Sequence, residues 1–289
     1  MSMMLRMAGT LGQRRVPFFG LLDLYPGAAA AYSLRTLSAS FVNQPIIRVR
    51  RSSDNTEADF TAAEITNGTL TTWTGANDGF VRTWYDQSGN ARHAEQTTAG
   101  NQPQIVDAGA LVTDGLKFDG ESSHLRTQDA QIVSNTHGIT SVVLGKVMGR
   151  AYFAGQYNSS ESERIWGHNV FGATNNWSGF SVQGNPASFN ANQAARFDTS
   201  PTLDGILSGF WTPGNASKYR YNGGSTVSAV SVTDGASQTS RPLEIGSIND
   251  GSIVLDGNIK EVIIWPMDQS ADDRLSAIES NINAAWEVF

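Results

Sequence analysis

The chain reads as an all-β protein, a sandwich of two antiparallel sheets, and three observations predict it. Short runs alternate with period two: Ile47 and Val49 against Arg48 and Arg50, then Phe80, Arg82 and Trp84 against Val81, Thr83 and Tyr85. Turn formers punctuate these runs, with 29 glycines among 289 residues. Charged residues make up only 16% of the chain, the composition of a turn-rich β protein rather than of a helical bundle or a disordered tail. Sandwiches of this length commonly form one domain. The simplest partition is an arm over residues 1–22 followed by a single sandwich domain over 23–289.

Each element has its own signal. Residues 25–41 predict a short helix: Pro26 suits a first turn, Ala28 to Ala31 favour helix, and Leu34, Leu37 and Phe41 form one stripe. Ile46 to Arg51 predicts a strand. Residues 56–78 are polar, with a helical turn between Thr61 and Leu70. The run ending at Tyr85 enters a turn at Asp86 to Asn90, where Asp can bond its own backbone and Gly89 can take positive φ. Arg92 to Gln104 predicts a loop. Leu116 to Gly120 is a strand entering a turn, and strands follow at Ser141 to Lys146, Ala151 to Tyr157 and Arg164 to His168. A hairpin over Leu207–Trp211 and Lys218–Tyr221 turns at Pro213-Gly-Asn215, and Leu243 to Gly246 and Ile259 to Trp265 are the last strands. A closing helix follows, with Ser270 as N-cap, Asp273 three residues on, and Leu275, Ile278, Ile282 and Ala285 at helical spacing.

Charge and residue usage exclude several functions. A net charge of −7 argues against a nucleic-acid surface, which needs concentrated positive charge. With no cysteines there is no thiolate metal site or cysteine nucleophile, and the chain suits a reducing cytoplasm or a bacterial or viral source. His93, His124, His137 and His168 share no zinc spacing. There is no phosphate loop or nucleophile elbow, so neither a metal nor a cofactor is expected. The leading residues lack the uninterrupted apolar core of a signal peptide, and no stretch is long enough to cross a membrane. Leu5, Met7, Leu11, Phe18 and Phe19 make residues 1–22 a partly apolar arm suited to a partner subunit.

Three later segments resemble concanavalin-A-like, laminin-G-like jelly rolls: Phe118-Asp-Gly120 with His124-Leu125, Tyr219-Arg-Tyr-Asn-Gly223, and Leu255 to Trp265 followed by a helix. Earlier segments are similar to the catalytic domain of glycoside hydrolase family 54, the α-L-arabinofuranosidase B enzymes. These are Ala30-Ala-Tyr-Ser-Leu-Arg35, Ile47-Arg-Val-Arg-Arg-Ser-Ser-Asp54 and Trp84-Tyr-Asp-Gln-Ser-Gly-Asn90. The last two also resemble bacteriophage virion and tail proteins, and more closely. The hydrolase resemblance implies Glu163 as nucleophile and Asp250 as acid, the carboxylate pair that retention requires. It also implies an adjacent cysteine pair near Ala151 and Tyr152, which this chain lacks. Trp177, Trp166, Tyr157 and Asp86 are the candidates for carbohydrate contact. The tryptophans either stack on sugars or fill the core, and Asp86 either touches ligand or holds its turn.

The function these resemblances imply is a bacteriophage virion part (tail, fibre, baseplate or capsid decoration), made in the host bacterial cytoplasm. Its lectin-like sandwich would serve assembly or host-surface glycan binding. The arm would meet other virion proteins in a homo-oligomer, with no nucleic acid or membrane partner. The alternative is a retaining α-L-arabinofuranosidase-type hydrolase using Glu163 and Asp250.

Overall fold

The computed structural model describes residues 18–128, 138–148, 151–157, 164–171, 177–182, 194–198, 202–232, 242–248, 251, 253–270 and 273–289. The first half of the chain contributes α1 (Leu21–Leu24), β1 (Ala30–Ser33), β2 (Ile47–Arg51), β3 (Glu57–Phe60), α2 (Ala62–Thr66), α3 (Thr69–Thr74), β4 (Gly79–Trp84), β5 (Ala94–Glu95), β6 (Gln104–Asp107), β7 (Ala110–Leu111), β8 (Leu116–Asp119) and β9 (Leu125–Thr127). Long strands follow: β10 (Ile139–Met148), β11 (Ala151–Tyr157), β12 (Arg164–Phe171), β13 (Trp177–Val182), β14 (Ala194–Asp198), β15 (Thr202–Trp211), β16 (Ala216–Tyr221) and β17 (Val227–Val232). The chain closes with β18 (Glu244–Ile245), β19 (Ser247–Ile248), β20 (Ile253–Val254), β21 (Asp256–Trp265) and α4 (Arg274–Trp286).

Antiparallel pairing sorts most strands into two layers. One runs β17-β16-β15-β10-β21, with β1 and β8 both on the far edge of β21. The other runs β3-β2-β4-β5-β9-β18-β11-β12-β13-β14. Strand β6 pairs with β4 of one layer and β8 of the other, so the ladder folds over along that edge. This is the all-β sandwich that the alternating pattern predicts, and its C-terminal helix is present.

Side-chain alternation in the first layer feeds two apolar clusters. Ala30, Tyr32, Val143, Leu207, Val262 and Ile264 face the space between the sheets. Ala31, Val142, Ile206, Phe210, Ile263 and Trp265 face outward, under α1 and α4. That layer is therefore buried on both sides, and its strands read as nearly continuous apolar runs.

The structure corrects two local expectations. Residues 25–41 are not a helix: β1 occupies Ala30–Ser33 and pairs with β21, Ala31 opposite Ile263. Small alanines let one strand close against both clusters, and that packing overrides their helix propensity. The short early helix is instead α1, whose Leu21 and Leu22 are buried. Ser270 does not cap the last helix, because its N–H bonds the Asp268 carboxylate while Asp273 stands at the N-cap. Leu275, Ile278 and Ile282 are buried as their spacing predicts, but Ala285 is exposed. Glu279 turns inward to accept from Ser208 Oγ at 2.7 Å, with Arg220 Nη2 at 3.2 Å.

Candidate functional site

Two turns, each organised by an aspartate, lie at the ends of strands in this fold. The first follows β4. Asp86 Oδ1 accepts the N–H groups of Ala31 (2.8 Å) and Ser88 (2.9 Å), and Oδ2 accepts Ser88 Oγ (2.7 Å) and the Arg92 N–H (3.0 Å). Gln87 extends the bracket: its N–H reaches the Ala31 carbonyl, its Oε1 accepts from the Leu37 N–H, and its Nε2 reaches the carbonyls of Ser33 and Arg35. Asn90 Nδ2 takes the carbonyls of Ala28 and Ala29, and Gly89 sits at φ +91°. The Tyr-Asp-Gln-Ser-Gly-Asn run is thus a staple from the second layer onto the open edge of β1. Its side chains satisfy backbone groups that no neighbouring strand pairs. Asp86 is buried and its carboxylate is fully occupied by these bonds.

The second turn follows β8. Asp119 Oδ1 accepts the N–H groups of Glu121, Ser122 and Ser123, each at 2.9 Å. Burial alone would raise this carboxyl, but the N–H donors of Ser123, Ser122 and Glu121 outweigh it and hold it at about 2. The bracket delivers His124 to the head of β9. His124 Nδ1 lies 2.8 Å from the Ser122 carbonyl, so the neutral ring carries its proton there and its Nε2 accepts from Gln96 Nε2 at 3.1 Å.

Beside His124 opens a polar cleft of about 470 Å³, lined by Glu95, Gln96, Thr98, Asn101, His124, Arg126, Gln128 and Pro242 among others. Strand register explains its chemistry. Arg126 of β9 stands directly opposite Glu95 of β5 on one side and Glu244 of β18 on the other. Directly opposed residues project to the same face, so a carboxylate, a guanidinium and a carboxylate form one row across three strands. Gln128 Nε2 donates to Glu95 Oε2 at 3.0 Å, and Ser247 Oγ donates to Glu244 Oε2 at 3.1 Å. Glu244 is buried and does not line the cleft, whereas Glu95 and Arg126 do; a carboxylate and a guanidinium side by side on one wall match a polyol, whose hydroxyls both give and take hydrogen bonds.

The residues expected from the sequence distribute differently. Glu163 and Asp250 lie outside the described residues. Gly251, directly after Asp250, lies beside the His124 ring: a Cβ there would stand 3.5 Å from it. Trp166 is a core residue: it is buried, its Nε1 donates to Gln156 Oε1 at 3.0 Å, and its ring packs near Phe180. Its ring therefore stands in the core, on the packing side of the core-or-ligand alternative. Trp177 opens β13 opposite Phe171 and Asp198, and Tyr157 ends β11; the side chains of both lie outside the described residues. Of the arm, Leu5, Met7 and Leu11 also lie outside them. Phe18 and Phe19 are 46% and 65% exposed and line a separate groove with Leu34, Ala63 and Trp286. Glu95, Arg126, Gln128 and Glu244 were not singled out from sequence. Glu95, the Arg126–Gln128 pair and Glu244 lie far apart in the chain, and only strand register aligns them.

Among the described residues no group of three or more His, Asp or Glu side chains is placed to hold a metal ion, and no helix is long and apolar enough to cross a membrane. No protein-family model and no curated protein matches the chain. Among solved structures, it is similar to a glycoside hydrolase family 54 α-L-arabinofuranosidase soaked with a cyclic sulfate inhibitor, at 16% identity and a TM-score of 0.66. It is also similar to an arabinofuranosidase complexed with arabinofuranosyl-α-1,2-xylobiose, at 17% identity and a TM-score of 0.65. Each match covers 92% of this chain and 65% of the other, so the chain spans about two thirds of the length of those enzymes. At that identity the likeness is one of fold: the chain has the sandwich of the family 54 arabinofuranosidases.

Proposed function

We propose that this chain is the carbohydrate-binding sandwich of a bacteriophage particle. It is a structural part of tail, fibre, baseplate or capsid decoration whose cleft between β5, β9 and β18 takes a host-surface glycan. The pairing of Glu95 and Arg126 on one wall of the cleft is the observation that carries the binding half of this reading. The particle half rests on the resemblance of the Arg48–Asp54 and Trp84–Asn90 segments to virion proteins, with residues 1–22 joining the sandwich to its neighbours. The fold supports a carbohydrate role, although a fold alone does not fix function.

The test is retention of the full chain on a glycan array, followed by titration of the best glycan. Glu95→Gln and Gln128→Ala each remove one polar contact at the rim and are expected to weaken binding about threefold to tenfold. Retention of no glycan overturns the binding half.

The family 54 sandwich supports a second reading, a retaining arabinofuranosidase using Glu163 and Asp250. An aryl arabinofuranoside separates the two. Release of the phenol, abolished in Glu163→Gln, would establish the hydrolase. We expect no release, in keeping with the absence of the cysteine pair that the resemblance implies.

A further inference from the structure

A second cleft lies at the tip of the β4–β5 connection. It holds about 290 Å³ and is lined by Phe41, Gln44, Pro45, Tyr85, Asp86, Gly89, Ala91 and His93. That volume is at the lower end for small-molecule clefts, room for one ring rather than a chain.

Its walls are fixed before any ligand arrives. The Tyr85 and His93 rings meet edge to face, 5.0 Å between centroids and 89° between planes. Tyr85 Oη donates to Asp59 Oδ1 at 2.8 Å, and Arg48 clamps the same carboxylate through Nε and Nη2, both at 2.8 Å. Burial, together with the bond to Asp59, pushes the Tyr85 phenol up to about 12, so the hydroxyl stays a donor. The Asp86 N–H donates to His93 Nδ1 at 3.1 Å. The neutral imidazole then carries its proton on Nε2, which has no partner among the described residues.

The lining also selects the charge of what fits. No lysine or arginine lines the cleft, so an anion would meet no counter-charge. The only carboxylate, Asp86, is spent on four chain hydrogen bonds, so a cation gains little from it. What remains is apolar surface from Phe41, Pro45, Tyr85 and Ala91, the Gln44 amide, and the His93 Nε2–H donor. An uncharged sugar ring has this pattern reversed, with a C–H face for the aromatic wall and hydroxyls for the donor and amide.

We propose that this cleft is a second carbohydrate subsite, taking the apolar face of one uncharged sugar ring against Tyr85 and Phe41. The proposal deepens the carbohydrate reading above and rests on it. His93 and Glu95 are two residues apart in the chain, so both clefts are built on the same β4–β5 unit.

Amide-resolved NMR of the full chain, titrated with neutral methyl glycosides (glucoside, galactoside, mannoside and N-acetylglucosaminide), tests it. At least one glycoside is expected to shift Gly89, Ala91 and His93. Phe41→Ala, which removes a wall side chain outside both apolar clusters, should weaken that response roughly tenfold. Shifts confined to Thr97 and Gln128 would overturn this subsite while sparing the larger cleft. Shifts confined to Gly89, Ala91 and His93 would support this subsite and count against the larger cleft. Silence in both regions would overturn both readings.

Discussion

The turn at Asp86 and the turn at Asp119 use the same local chemistry for different ends. Both place an aspartate at the end of a strand, and both let its carboxylate collect N–H groups that no strand pairs. Asp86 reaches across 55 residues to Ala31 and ties one sheet to the other. Asp119 reaches no further than Ser123, four residues on. The first turn is therefore part of the fold's closure, whereas the second is a local mount that aims His124 at the polar cleft. A motif such as Asp-x-Ser or Asp-Gly-x-Ser announces a bracket, and only the partners of that bracket decide whether it serves stability or a site.

The comparison can be broken most forcefully at Asp86. Asp86→Ala leaves the Ala31 N–H without an acceptor in a buried setting and the Arg92 N–H without one in a half-buried setting. Each orphan costs about 1–3 kcal/mol, so a loss of roughly 3–5 kcal/mol is expected in urea denaturation. Asp119→Ala exposes its freed N–H groups to water and should cost about 1 kcal/mol or less, while weakening ligand binding at the cleft. If the two variants lose equal stability, the distinction between staple and mount is wrong.

Acid titration sharpens the contrast. Burial pushes the His168 imidazole down to about 3, with its Nε2 donating to the Ser141 carbonyl at 3.1 Å. Between an unfolded value near 6.5 and that folded value, only the unfolded chain binds the proton. Stability must therefore fall as pH drops through this window, by about 1.4 kcal/mol per pH unit at its steepest. Replacing His168 with Phe is expected to flatten that slope, measured as unfolding free energy between pH 6.5 and 4. Asp119 acts in a lower window. Its folded value is depressed from the ordinary carboxylate range to about 2, so its contribution is present above pH 4 and disappears as pH falls toward 2. The difference between wild type and Asp119→Asn should vanish there. Asp119 is solvent-exposed, which keeps the effect below about 1 kcal/mol.

How much of this was legible beforehand depends on how local each cause is. The strands β2 and β4 follow from period-two alternation, β8, β12 and β21 from short runs between turn formers, and the closing helix from its 3.6-residue stripe, because these patterns are written within one element. The turn at Asp86 was legible as a turn, but its partners Ala31, Leu37 and Ser33 were not, since they lie about 50 residues away. The helix expected over 25–41 failed for the same reason: Ala30 and Ala31 obey the strand β21 beside them rather than their own propensity. The helical turn expected between Thr61 and Leu70 is α2, capped by the reciprocal box of Thr61 with Glu64; α3 starts after Gly68 with no such side-chain cap and carried no local signal of its own. The cleft was the least legible part. Glu95, Arg126 and Glu244 become neighbours only through the pairing of β5, β9 and β18, and none of those strands exceeds three residues.

The smallest effect bears on the staple alone. Ala91 sits at φ +56° immediately after the Asp86–Asn90 turn, in the left-handed region where a Cβ crowds the backbone and only glycine is at ease. The Arg92 N–H, one residue later, is held by Asp86 Oδ2, so the bracket imposes this conformation rather than Ala91 choosing it. Ala91→Gly should relieve the strain and stabilise the fold by about 0.5–1 kcal/mol, visible as a small rise in the unfolding midpoint. The gain should disappear in the Asp86→Ala background, because without the bracket the chain is free to leave the left-handed region. An undiminished gain there would mean that some other contact holds Ala91, and that Asp86 closes the sheets without setting the path of the turn.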